Sequence, residues 1–432
     1  MEQTKHKQFN LLDKTTEAWL QNKRNNDGAE DLWRICDSLY DVSDFIKKHP
    51  GGKFWLETTK GTDITEAFES HHVKSDRPEK LLNSFYVRNA KTPRNSPYTF
   101  EDDGFYKTLK RRVSKFLKTI PEKETQSSDF YTDVLMFSVF IFAIFSCLVW
   151  SYKLATVTGF LCGLTINAVH NYSHKRDNYR MYYHDVCGLS SRDFRIIHIL
   201  SHHFYPNTTR DVQAYFSDPF AIPFPEKKSF IVKYLSWIYI PLIFFTLAFH
   251  VAAVVRFLGL IYFKPRRPLE ACELLPLLLP LSMYLISGQS LLATIGLWQI
   301  IIVATSFTFS VIAFTNSHIH PEIYIDGDTT RPKDEMDWGI NQLDTISDRY
   351  EINGNKFLVL VSFGDHALHH LFPTLDHGIL HHLYPIALET MKEFNVDIRM
   401  MSQIDMSLGY FRRLAKETKN PHPPNLIKAY NT

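Results

Sequence analysis

The feature that most constrains this chain is a set of apolar runs of nearly bilayer length, crowded between about residues 130 and 316. Hydrophobic residues are 45% of the whole, an ordinary share, so their concentration there carries the information. Val134 to Trp150 contains no charge and, with its flanks, approaches the roughly 20 residues a spanning helix needs. After Ser151-Tyr152-Lys153, a second run from Leu154 to Val169 leads directly into His170. Two crossings joined by a tight turn would return the chain to its starting side. Three more runs follow: Tyr234 to Phe263, interrupted by His250 and Arg256; Cys272 to Ile286, with Pro276 and Pro280; and the uninterrupted Thr294 to Phe314. If all histidine clusters share one face, the number of crossings between His203 and His318 must be even. The last two runs are therefore expected to form a hairpin and Tyr234–Phe263 to lie in or along the interface. The basic loop Lys264-Pro265-Arg266-Arg267 then stays cytosolic, as the positive-inside bias favours. These uncharged lengths argue against a large soluble apolar core.

Twenty histidines is a high count, and many of them cluster. HNYSH places His170 and His174 at i and i+4, HILSHH carries His198, His202 and His203, and FGDHALHHLFPTLD carries His366, His369 and His370. On a helix, residues three and four apart share a face. Buried neutral imidazoles need a partner for both nitrogens, which makes such a group a poor core and a good metal site. Ionisable residues at a membrane edge are functional by default. Eight imidazoles near one interface could surround two metal ions. Imidazole suits iron, copper and zinc, and the lack of thiolate ligands disfavours structural zinc. FTNSHIHPE adds Asn316 and His320 as a further metal position, with His318 as the alternative to His320. Asp365, Asp344 and Asp376 lie near enough in sequence to orient imidazoles, although solvated loop carboxylates are an equal reading. His377, His381 and His382 fall outside the box spacing.

The N-terminus is polar and shows no apolar core of a secretory signal. Five cysteines without CxxC spacing suggest neither disulfides nor a thiolate site, so the soluble parts are expected in a reducing compartment. A net charge of +2 argues against a nucleic-acid footprint. In the first hundred residues, LWRICDSLYDVSDFIKKHPGG reads as strand, turn, strand, short helix and a sharp turn. There Pro50 and the glycines Gly51 and Gly52 let His49 face a cleft. In GTDITEAFESHH, Asp63 is a plausible helix cap, and His71 and His72 end that helix. Residues 97–130 are charged and proline-punctuated and read as a hinge plus a short basic amphipathic helix near a membrane surface. The expected organisation is a tail (1–19), a small α+β domain (20–96), that linker, an all-α multi-span membrane domain (131–400) and a C-terminal tail (401–432).

YDVSDFIKKHPGG followed by GTDITEAFESHH resembles the cytochrome b5 family. The resemblance implies haem b held between His49 and His72, with His71 as the alternative to His72. With both axial positions filled, the haem would carry electrons and leave no site for oxygen. HxxxH, HxxxHH and HxxHH, in this order and separated by paired apolar runs, resemble the membrane fatty-acid desaturase and hydroxylase superfamily. That resemblance implies two non-haem iron ions, dioxygen as co-substrate and removal of hydrogens from an acyl chain. It implies ligand roles for His170, His174, His198, His202, His203, His366, His369 and His370, and a ninth position at the Asn316–His320 element. Two departures matter: the second box has one residue more than the usual HxxHH, and the third begins with His366 where fused front-end desaturases usually have glutamine. The chain looks most like the group named cytochrome b5-related proteins.

The expected function is desaturation of an acyl-CoA or acyl lipid, with electrons from the fused haem domain. A tethered donor is present at high effective concentration. An NADH-dependent cytochrome b5 reductase is the expected partner, since no GxGxxG fingerprint appears in this sequence. The expected location is the endoplasmic reticulum membrane, with the haem domain and histidine boxes cytosolic. A lipid hydroxylase with the same metal site and a non-catalytic haem-binding membrane protein are the alternatives.

Overall fold

The computed structural model describes residues 10–263 and 270–424. The N-terminal module is built as its turn signals suggest. Strands Trp33–Ile35, Ser38–Tyr40 and Tyr86–Asn89 form an antiparallel sheet in that order. A 3₁₀ helix over Ser43–Lys48 delivers the chain to His49 and the Gly51-Gly52 turn, where Gly52 has φ 97°. Such a φ is open to glycine at no steric cost. Asp63 accepts from the backbone N–H of Thr65 (2.9 Å) one residue ahead of the N-cap position of helix Thr65–His71, which is Ile64 and carries no side-chain cap. Ile35, Tyr40 and Phe68 make the module's small core.

Three segments expected to be peripheral are integral. A helix begins at Thr16, capped by the Thr15 hydroxyl, and its Trp19 and Leu20 join the main core. The expected surface helix of the linker spans Phe105–Phe116, yet buries Phe105, Tyr106, Leu109 and Val113. Its apolar stripe has a better partner than a membrane surface: Tyr106 meets Trp338 edge-on at 4.8 Å, and the Asp337 carboxylate accepts from its backbone N–H (3.1 Å). At the other end, helix Gln403–Ala415 buries Tyr410 and Leu414 beside Ile240 and Phe244. The last eight residues of the expected tail lie outside the described residues.

Among the described residues, four helices are long and apolar enough to cross a membrane: Lys123–Leu148, Tyr152–Ser173, Ile231–Tyr262 and Leu291–Thr315, with a shorter apolar segment at Ala271–Ser287. Tyr152–Ser173 packs closely on Leu291–Thr315 because Gly159 and Gly163 carry no side chain there. A Cβ on Gly159 would stand 2.7 Å from the Ile301 carbonyl oxygen, and one on Gly163 would stand 2.6 Å from the Thr308 side chain. Small residues four apart let backbones approach in just this way. Cys147 lies beside Thr294 at the end of the bundle away from the boxes, where both hairpins turn.

The run Ile231–Tyr262 has the length to cross, but both its ends meet segments flanking the second box. Lys233 pairs with Glu417 (2.6 Å) and the Tyr239 hydroxyl donates to the Phe220 carbonyl at the start. Arg256 pairs with Asp193 (3.3 Å), and Gly259 sits against Thr15 near the end. A π-helical stretch at Leu247–Val251 interrupts the run between them. Residues 264–267, the expected cytosolic basic loop, lie outside the described residues.

Candidate metal centre

The first box occupies the last turn of helix Tyr152–Ser173, where His170 and His174 point inward and are buried. The second lies on a π-helix, Arg195–His202, closed by the His203 N–H donating to the His198 carbonyl five residues back (2.9 Å). This widened turn explains the spacing. The additional residue is taken up in the π-turn, so His198, His202 and His203 all reach one region. The third box sits on the short helix His366–Leu371, entered through Phe363 and Asp365 at positive φ. Asp348, from a two-residue parallel pairing with Met400–Met401, anchors this helix by accepting from the N–H groups of His366 (2.6 Å) and Ala367 (3.2 Å).

These elements bring nine imidazoles into two adjoining groups. His170, His174, His198, His203 and His369 form one; His202, His318 and His370 form the other. His366 adjoins the second group, its Nε2 2.8 Å from that of His318. Within the first group the Nε2 atoms of His174, His198 and His369 lie 2.8–3.1 Å from that of His170. Neighbouring ligands around one metal at about 2 Å stand about 3 Å apart, so the spacing fits a metal-binding polyhedron. Stacked rings of His203 and His370 at 4.0 Å join the groups. Burial holds His174, His203, His318, His366, His369 and His370 well below the ordinary imidazole range, and His198 and His202 at about 3. They are neutral, which is the ligating form.

Five of the other ring nitrogens are fixed by partners that box spacing does not announce, while the Nδ1 atoms of His170, His174, His203 and His366 have none. The Nδ1 of His202 bonds Asp211 (2.8 Å), that of His198 bonds Gln213 (2.9 Å), and that of His370 bonds Gln342 (3.0 Å). His318 Nδ1 bonds the Thr345 carbonyl (3.0 Å), and His369 Nδ1 meets His377 Nε2 at 3.2 Å. Such bonds set tautomer and ring orientation. His377 therefore belongs to the site. Asp365, Asp344 and Asp376 are engaged elsewhere, with Tyr384, Arg331 and the Ser128–Asn171–Lys175 set respectively.

His320 does not reach the cluster. Its Nε2 faces Asp405 at 3.7 Å and its ring lies against Gly409, because Pro321 and the following turn carry it away. His318, three residues after the helix end at Thr315, reaches in instead. Asn316 lies beside the site and holds the Ser362 carbonyl (3.2 Å) and Gln403 (3.1 Å).

In the N-terminal module, the rings of His49 and His72 face each other across 6.3 Å. Each Nδ1 is bound to a backbone carbonyl, Gly52 (2.9 Å) and Phe68 (3.0 Å) respectively, so both Nε2 atoms could hold one iron between them. His71 points the other way, between Trp55 (5.8 Å) and Phe204 (5.6 Å). The module docks directly on the boxes: the Arg195 guanidinium stacks on Trp55 at 4.8 Å while bonding the carbonyls of Ser173 and Lys175.

An apolar cavity of about 310 Å³ ends on this centre. His198, His202, His318 and His366 are part of its polar lining, together with Lys14, Glu17, Asp193 and Arg256, and Leu247, Phe249 and Phe257 are part of its apolar lining. That volume lies at the lower end of the range for ligand pockets.

Apolar helices presenting buried imidazoles at one end, with a small α+β histidine-bearing module docked on that end, fit a membrane oxidoreductase, and the comparisons with known families place the chain in that class. Residues 147–401 match the family described as fatty acid desaturase, and residues 16–91 match the cytochrome b5-like haem/steroid binding domain. The chain belongs to the fatty acid desaturase family and carries an N-terminal cytochrome b5-like domain. It is 41% identical over 420 residues to a cytochrome b5-related protein of Drosophila melanogaster, covering 96% of this chain and 94% of the relative. It is 24% identical to a probable Delta(5) fatty acid desaturase C of Dictyostelium discoideum, covering 88% of this chain and 90% of the relative. No solved structure matches.

Proposed function

We propose that this protein removes two hydrogens from an unactivated position of a fatty acyl chain, carried as acyl-CoA or acyl lipid, in an oxygen-dependent reaction. The observation that carries this reading is the apolar cavity ending on buried neutral imidazoles. His170, His174, His198, His203 and His369 would hold one iron; His202, His318, His366 and His370 would hold the other. His49 and His72 would hold haem b. When bound, the two iron ions and dioxygen supply the oxidising power that C–H cleavage requires.

The chain's own residues do the rest. Leu247, Phe249 and Phe257 exclude water and hold the acyl chain in a cavity whose lining includes the metal-holding His198 and His202, so that its reacting carbons lie beside the centre. Asp211, Gln213 and Gln342 keep each Nδ1 protonated, so each Nε2 lone pair points inward. Electrons reach the haem from an NADH-dependent cytochrome b5 reductase. The docked module gives them a short way onward: His71 adjoins His72 and packs on Phe204, which adjoins His203. The boxes and haem module face the cytosol from the endoplasmic reticulum membrane. The crossings are 123–148, 152–173, 271–287 and 291–315, and the run 231–262 re-enters the face it left.

Mass spectrometry of lipids from cells expressing the wild type or His369→Ala tests the reading. A product lighter by two hydrogens, absent in the variant, is expected. A product heavier by one oxygen would identify a hydroxylase, and identical lipids in both, with no non-haem iron in the wild type, would overturn the enzymatic reading.

A further inference from the structure

A third cluster of metal-binding side chains lies outside the nine imidazoles. Glu124, at the start of the first apolar helix, faces His381 and His382, which follow the third box, and donor atoms of the three lie within 4.8 Å of one another. The two segments are apposed at backbone level: a Cβ on Gly378 would collide with the Glu124 carbonyl, so only glycine permits the approach. The imidazoles of His381 and His382 lie 3.8 Å apart. His382 Nε2 is shielded from solvent and has no hydrogen-bond partner; its nearest anion, a Glu124 carboxylate oxygen, stands 3.5 Å away, too far for a good hydrogen bond. Donors separated by 3.5–4.8 Å, each able to approach a central ion at about 2 Å with small rotations, are what a cation site needs.

We propose that Glu124, His381 and His382 form a surface site for a borderline divalent cation, with zinc as the representative ion. Two neutral nitrogens and one carboxylate suit that class better than calcium or magnesium, which prefer all-oxygen ligands. Three protein ligands leave the fourth position to solvent. Lys356, whose ammonium is 2.8 Å from the same Glu124 oxygen, is the built-in competitor and sets the affinity low. The ion would clasp the start of the first apolar helix to the segment whose other end holds His377 against His369.

The test is zinc titration of the haem- and iron-loaded full chain against a chromophoric chelator, with metal content measured after dialysis. The wild type is expected to hold one zinc per haem without losing iron. His381→Ala/His382→Ala should lose it, Glu124→Gln should weaken it by at least about tenfold, and Lys356→Met should tighten it by removing the competing cation. Haem absorbance and iron content should stay constant throughout. No zinc retained by the wild type at submillimolar metal, equal retention in the double variant, or weaker binding in Lys356→Met would overturn the assignment.

Discussion

Replacing Asp211 by asparagine isolates what a single outer carboxylate does for the metal centre. Asp211 is buried and accepts four hydrogen bonds: from His202 Nδ1 (2.8 Å), and from the N–H groups of Asn207 (3.0 Å), Gln213 (2.9 Å) and Ala214 (3.3 Å). Asparagine keeps the shape but offers one acceptor oxygen. If that oxygen serves Gln213 and Ala214, the amide NH₂ faces the donors of His202 and Asn207, and two bonds are lost. At about 1 kcal/mol each, the cost is about 2 kcal/mol, together with release of the His202 tautomer. Loss of such an outer partner weakens metal binding by about 10–100-fold. The assay is non-haem iron per haem after dialysis against graded chelator. Expected is loss of one of two irons at a chelator concentration lowered by that factor, with haem absorbance unchanged. Equal iron retention in wild type and variant would refute the idea that Asp211 sets the orientation of His202.

Three further outcomes are expected. His72→Ala should abolish haem absorbance, whereas His71→Ala should keep it, because only His72 faces His49 with its Nδ1 tied back. Gly163→Val should cost about 1–3 kcal/mol in thermal unfolding, since its side chain would displace Thr308; the same change at Gly296, with nothing near it, should cost far less. Lys228, buried beside the Arg413 carbonyl, is lowered by burial to about 7 from its ordinary 10.5. Between those values the unfolded chain binds a proton the folded chain lacks, so stability should rise with pH from about 7 towards 10, and Lys228→Met should flatten that rise in melting temperature.

Much of the centre is legible in the sequence because its ligands stand in pairs and triplets one helical turn apart. His170 with His174, and His366 with His369 and His370, need only local geometry to be read. The outer partners are not legible: Asp211, Gln213, Gln342 and Thr345 sit on short turns that tertiary packing brings to the rings. His377 was within reach of a reader, seven residues from His370, but a spacing rule excludes it. The choice between His318 and His320 turns on the path of one proline-containing turn. The linker helix misleads for a different reason, since an amphipathic stripe does not say whether lipid or Trp338 covers it. GFLCG at 159–163, with its glycines four apart, does announce close helix packing in the sequence.

The π-turn of the second box separates the number of residues between ligands from the direction in which they face. A scan keyed to a fixed two-residue spacer would pass over this chain, although its three imidazoles converge on the same kind of centre. The turn also defines where the sequence can change length. Ser201 is held by bonds to Arg210 and Val212, so the residue the π-turn takes up is Ile199 or Leu200, both of them buried. Removing either would let the segment close to an α-turn and return the box to the shorter spelling, whereas an insertion there would have no wider turn to occupy.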